Sequence, residues 1–97
     1  MQSVQVGGRL CALLSEAVFG SAEVEEFVWD GAYYTTISPK SSSMYYIVSV
    51  HTENRRDWTA DIMVEDTVKF AETFENESEA WLALEAVLLS LRRNREE

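Results

Sequence analysis

The segment Asp57 to Glu65 alternates without a fault: Trp58, Ala60, Ile62 and Val64 share one parity, and Asp57, Thr59, Asp61, Met63 and Glu65 share the other. Successive side chains of a strand point to opposite faces, so the pattern calls for a sheet with one buried face and one wet face. A parallel sheet covered on both sides reads instead as continuous apolar runs, so the expectation is antiparallel. Met44 to Thr52 repeats the pattern, with Tyr46, Val48 and Val50 opposed to Tyr45, Ile47, Ser49 and His51. Thr67 to Phe74 puts Val68, Phe70 and Phe74 on a common parity. Upstream, a short acidic stretch from Ser21 to Glu26 leads into Phe27-Val28-Trp29 and Ala32 to Ile37, which flank Asp30-Gly31. Asp-Gly suits the left-handed positions of a tight hairpin turn. A continuous strand with a glycine bulge is the alternative. Glu53 to Arg56 reads as a turn, and Ser38 to Ser43, with the only proline, as a polar loop.

Two helices bracket these strands. Leu10, Leu13, Leu14, Ala17 and Val18 recur at the spacing of one buried helical stripe, and Gly20 supplies a stop. Gly7-Gly8 argues for a start near Gly8, because a glycine inside a helix costs about 1 kcal/mol relative to alanine. The second helix opens with Asn76 and Glu79 at capping-box spacing and ends among Arg92, Arg93 and Arg95, an order that suits the helix dipole. Trp81, Leu84, Val87, Leu88 and Leu91 form its stripe. Leu82 and Leu89 lie roughly 100° off that stripe. They make the helix more apolar than one sheet contact requires, and mark a second contact, with the first helix or with another copy of the chain. The fold expected is a single α+β domain over residues 1–97. Its antiparallel sheet has four strands, or five if the hairpin is real, with an N-terminal and a C-terminal helix packed on one face.

Composition narrows the partners. Among 97 residues, 17 Asp and Glu outweigh 8 Lys and Arg, a net charge of −9. A basic footprint for direct nucleic-acid binding is missing, and an anionic membrane would repel the chain. No apolar run approaches the roughly 18 residues of a membrane span. Cys11 is the only cysteine, which leaves no intrachain disulfide or cysteine zinc site and fits a reducing, cytoplasmic compartment. Basic proteins are the expected partners.

Signs of chemistry are sparse. His51, the only histidine, has no serine or cysteine motif beside it and reads as structural or simply exposed. Gly7-Gly8-Arg9 lacks the remaining glycines and the Lys-Ser/Thr of a phosphate loop. Glu72 to Glu79 has acids at 72, 75, 77 and 79 but no mid-loop glycine for calcium. No catalytic residue, cofactor or metal is expected.

Charge is concentrated. Between Asp57 and Glu79 stand eight acids (Asp57, Asp61, Glu65, Asp66, Glu72, Glu75, Glu77 and Glu79) and one base, Lys69. On one strand Asp57, Asp61 and Glu65 would point out from one face at steps of about 13 Å. The plain reading is a solvated face. The sharper one is a ladder of carboxylates that stands in for phosphates on a partner's Lys/Arg groove, steered at long range and sensitive to salt. Trp29, Tyr33, Tyr34, Tyr45, Tyr46 and Trp58 occupy both strand parities, so some must lie on the helix-free face. Trp29 and Tyr34 are the candidate partner-binding aromatics, against ordinary cross-strand pairing.

Val28-Trp29-Asp30-Gly31 followed by Tyr34-Thr35 resembles a stretch in the small acidic anti-CRISPR proteins that phages direct against type I systems. Size, acidity and the order of helix, antiparallel sheet and helix are similar as well. The resemblance implies a non-catalytic inhibitor that mimics DNA and occupies the DNA-binding surface of an RNA-guided complex. It covers eight positions, and no contact residue carries over through it. A homo-oligomeric structural or adaptor domain assembled through Leu82 and Leu89 is the alternative.

Overall fold

The computed structural model describes residues 6–41 and 45–96. Helix α1 (Val6–Phe19) leads into five strands, β1 (Glu23–Trp29), β2 (Ala32–Ser38), β3 (Tyr46–Thr52), β4 (Trp58–Val64) and β5 (Thr67–Phe74), and helix α2 (Glu77–Glu96) closes the chain. Every strand pairs antiparallel with its sequence neighbour, so the sheet is a simple meander in the order β1-β2-β3-β4-β5. This is the expected α+β layout, in its five-stranded form.

The tight turns decide the strand count. Asp30 (φ 51°) and Gly31 (φ 81°) are both left-handed, and Trp29 pairs directly with Ala32. That is a two-residue hairpin, not a bulged continuous strand. The first strand also starts earlier than its apolar residues suggest, since Glu23 to Glu26 belong to β1. An edge strand exposed on both faces tolerates glutamate at successive positions, so no alternation marked it. The β3–β4 turn is built by Asn54, whose side-chain oxygen accepts the backbone N–H of Arg56 (2.8 Å) and of Asp57 (2.9 Å).

Tyr46, Val48, Val50, Ala60 and Ile62 are buried on one side of the sheet, as their parity predicts, under Ala80, Trp81, Leu84 and Leu88 of α2. Val68 departs from expectation. It is 62 % exposed, because a register shift after Ile62 pairs Met63 with Val68 and leaves Lys69 as the extra residue. One inserted residue moves a side chain to the opposite face, so Val68 leaves the side held by Phe70 and Phe74.

At the start of α2, Asn76 Oδ1 accepts the N–H of Glu79 (2.9 Å), while the Glu79 carboxylate receives the Asn76 amide (3.2 Å). The cap is the expected one, except that Glu79 reaches the side chain of Asn76 and not its backbone.

The face of α1 differs from its leucine stripe. Gly8, Cys11, Leu14, Ser15, Val18 and Phe19 are buried, whereas Leu13 is 65 % exposed and Ala17 is also outside. Leu14 and Val18 of the expected stripe are buried, and small residues, Gly7 and Cys11, take the place of Leu10, Leu13 and Ala17 beside Trp81 of α2. A Cβ on Gly7 would stand 2.7 Å from the Trp81 Cβ, and the Cys11 thiol donates to the Trp81 carbonyl at 3.5 Å. Both the rotated face and the start at Val6 have this cause: close approach to α2 outweighs the helix cost of glycine. Burial, reinforced by Glu85, pushes the Cys11 thiol up to about 12, so it is a small buried group and not a nucleophile. At its far end α1 rests on the sheet through Phe19, stacked on Tyr46 at 4.1 Å. The Tyr46 hydroxyl donates to the Ser21 carbonyl beyond the helix stop at Gly20 (φ 99°).

Candidate functional site

Helix α1 packs chiefly on α2, and α2 lies over β3, β4 and β5. Among the described residues, two surfaces of the sheet are therefore covered by no helix: the face opposite α1 and α2, and both sides of the β1–β2 hairpin near its tip. On the open face, strand register sets Phe27 beside Tyr34 and Tyr34 beside His51. Their rings stack across three strands, Phe27 on Tyr34 at 5.2 Å and Tyr34 on His51 at 4.9 Å. Trp29, two residues along β1 from Phe27, leans on Tyr34 at 6.3 Å with the planes 59° apart, and is 66 % exposed. Cross-strand pairing and exposure thus coexist: Tyr34 lies within the stack, and Trp29 projects beside it.

Charge frames this cluster. Glu23 and Glu25 share the parity of Phe27 and Trp29 on β1, Glu26 lies on the opposite parity, and Asp30 stands at the turn. From residue 21 to residue 38 there are four acids and no Lys or Arg. On the helix side of the hairpin, Tyr33 carries the Arg55 guanidinium over its ring at 4.4 Å. Trp29 and Tyr34, singled out in the sequence, lie side by side here, and the structure adds Phe27 and His51 to the same cluster, with Glu23 and Glu25 on the same strand parity as Trp29. Glu23, Glu25, Phe27 and Trp29 occupy every second position of β1, but Glu26 between them breaks the polar–apolar alternation that would have marked the face.

The carboxylates between 57 and 79 do not form a ladder. Only Asp61 of the expected row lies within β4; Asp57 precedes the strand in the Asn54 turn, and Glu65 (φ 56°) sits in the β4–β5 turn with Asp66. Glu72 pairs with Ala60, which puts it on the helix side of edge strand β5. Glu77 accepts the Trp81 indole N–H (3.0 Å), Glu79 belongs to the helix cap, and Glu75 lies between β5 and α2. The strand is too short for the row: seven residues end before the alternation in the sequence does. The acids are therefore shared between opposite ends and opposite faces of the sheet.

Asp61 is the one strained carboxylate of the group. It lies opposite Ser49 on the open face. Burial raises its pKa above the ordinary 3.8, an effect His51 partly opposes. A raised folded-state value means that the fold tolerates the protonated form better. The associated stability is complete below the unfolded value and is lost as pH rises through the folded one. Asp61→Asn should accordingly raise the melting temperature near neutral pH and give no gain below pH 3.8. Melts at the two pH values check this, and an equal shift at both would contradict it.

His51 Nδ1 has no hydrogen-bond partner among the described residues, and a shallow open depression lined by His51, Thr52, Glu53, Asn54, Asp57 and Thr59 adjoins it. Among the described residues, no group of three His, Cys, Asp or Glu side chains is gathered as a metal ion would need. Nor is any helix among them long and apolar enough to cross a membrane. Leu82 and Leu89, two turns apart on α2, are both exposed. No protein-family model, curated protein or solved structure matches the chain.

Proposed function

We propose that this chain is a small non-catalytic binding protein that docks on a basic surface of a nucleic-acid-handling protein and blocks it. The short resemblance at residues 28–35 to anti-CRISPR proteins suggests a surface that otherwise holds DNA. The observation that supports the reading best is Trp29, exposed beside the Phe27–Tyr34–His51 stack with Glu23 and Glu25 on the same parity. An exposed tryptophan beside an aromatic stack, on a strand face that also carries two carboxylates, is the composition of an interaction hot spot for a basic partner. The electrostatic frame proposed is thus that of β1, in place of a row along β4.

Charge reversal separates the two locations. Glu23→Lys with Glu25→Lys should abolish capture of a nucleic-acid-binding protein from source-cell extract, whereas Asp57→Lys with Glu75→Lys should leave most of it. The wild-type complex should come apart when salt or duplex DNA is added. Capture that ignores salt, DNA and the β1 reversal would sink the proposal.

The outward placement of Leu82 and Leu89 on α2 favours a second reading, a homodimer joined through that helix. Burial of apolar helix surface responds little to salt. Light scattering should then show a dimer that Leu82→Glu with Leu89→Glu converts to monomer, and a monomeric wild type removes the reading.

A further inference from the structure

The geometry points to β1 as an acceptor edge: an extended basic segment of a partner protein adds to the sheet as a sixth strand, antiparallel to β1. This rests on the docking surface proposed above and names how that surface is used. β1 is the first strand of the sheet order, so among the described residues one of its sides has no neighbouring strand. Its register with β2 runs unbroken from Glu23 to Trp29. In a two-residue hairpin the pair flanking the turn, here Trp29 and Ala32, exchanges both backbone hydrogen bonds. Alternation then turns the N–H and C=O of Val24, Glu26 and Val28 off the sheet, towards the free side.

Native edges are usually blunted by bulges, lysines or proline. The opposite edge, β5, has such protection, with its bulge at Lys69. β1 has no bulge, lysine or proline over its seven residues and is largely exposed along its length. What it carries instead is Glu23, Glu25 and Glu26, and these choose the occupant. Two copies of β1 side by side would bring six carboxylates together within a strip of about 23 Å, which opposes self-pairing. A strand with Lys or Arg at alternate positions meets the opposite situation. Two of its basic side chains pair with Glu23 and Glu25, and the next two lie over Phe27 and Trp29, where a cation is attracted by the ring face. β-branched residues between them fit beside Val24 and Val28. Backbone bonds supply affinity, and this alternation supplies specificity.

The probe is the end-capped peptide Arg-Val-Arg-Thr-Lys-Val-Lys, added to the full chain and followed by amide hydrogen exchange. Exchange at Val24, Glu26 and Val28 should slow by at least about tenfold, while the amides of Phe27 and Trp29, already bonded to β2, change little. A counterpart with glutamate at the basic positions should not bind. Glu26→Pro removes an outward donor without breaking the bonds to β2, so it should weaken binding at least about tenfold relative to Glu26→Gln, which removes the same charge. Slow exchange at the three amides that depends on protein concentration without peptide would mean that a second copy is the occupant, and would overturn the inference. Binding that shifts the Trp29 and Tyr34 ring signals but leaves those amides unprotected would overturn strand addition while sparing the docking face. Absence of peptide binding would also overturn it; the broader docking reading is decided separately by the charge-reversal capture.

Discussion

Trp29→Ala will weaken the proposed complex with a basic partner by roughly 30-fold or more, the loss typical of a hot-spot tryptophan, about 2 kcal/mol. The side chain projects from β1 with two-thirds of its surface in water, so folding gains little from it, whereas a partner that covers it removes a large apolar area from solvent at small entropic cost. Its orientation is held from behind: Tyr34 is fixed between Phe27 and His51, and Trp29 leans against Tyr34. Stability should change by no more than about 0.5 kcal/mol, as for other exposed positions. Titration calorimetry with the captured partner and urea unfolding of the free protein read the two effects separately. Wild-type affinity in the variant would remove Trp29 from the interface.

Trp81→Ala should have the largest effect on the fold, a loss of about 3–5 kcal/mol. Domains of this size have only about 5–15 kcal/mol in total, so the variant would be close to unfolding. Trp81 is 2 % exposed and joins the two helices. Its Cβ faces Gly7, its indole N–H is bonded to Glu77, and its carbonyl accepts the Cys11 thiol. Because α1 packs chiefly on α2, removing this side chain opens a cavity where the first helix is attached. Trp81→Phe should retain much of the stability, losing the bond to Glu77 and part of the volume. Urea unfolding followed by circular dichroism measures the series, and a loss below about 1 kcal/mol for alanine would mean that α1 and α2 close over the gap.

Much of the architecture was legible in the residues because the relevant signals are local. Asp30-Gly31 specifies its turn through its own backbone preferences. Asn76 and Glu79 are three apart, within reach of each other in the first helical turn. Trp58, Ala60, Ile62 and Val64 face inward because a strand has a period of two. The failures share a different character. Leu10, Leu13 and Ala17 make as good a stripe as Gly7, Cys11 and Ser15, and periodicity cannot choose between them when the neighbour requires small residues. Val68 carries the parity of Phe70, and only the pairing with β4 reveals the extra residue at Lys69. For the candidate site, Trp29 and Tyr34 were visible as aromatics of the two hairpin strands. The Phe27–Tyr34–His51 stack was not, since its members are far apart in the chain and meet through strand register.

The charge of this protein divides along the same line. The sequence alone determined its sign, its size and its concentration between Asp57 and Glu79, because these follow from composition and residue order. Tertiary structure decided what that charge can act on. A seven-residue β4 places Asp57 and Glu65 beyond its ends, turns and a helix cap draw off most of the others, and Asp61 is half-buried. The acids that share a strand and an exposed face with aromatic residues are Glu23 and Glu25, which lie outside the dense segment. Electrostatic and aromatic groups cooperate only within a few ångströms of each other, and that distance is set by strand pairing, not by position along the chain.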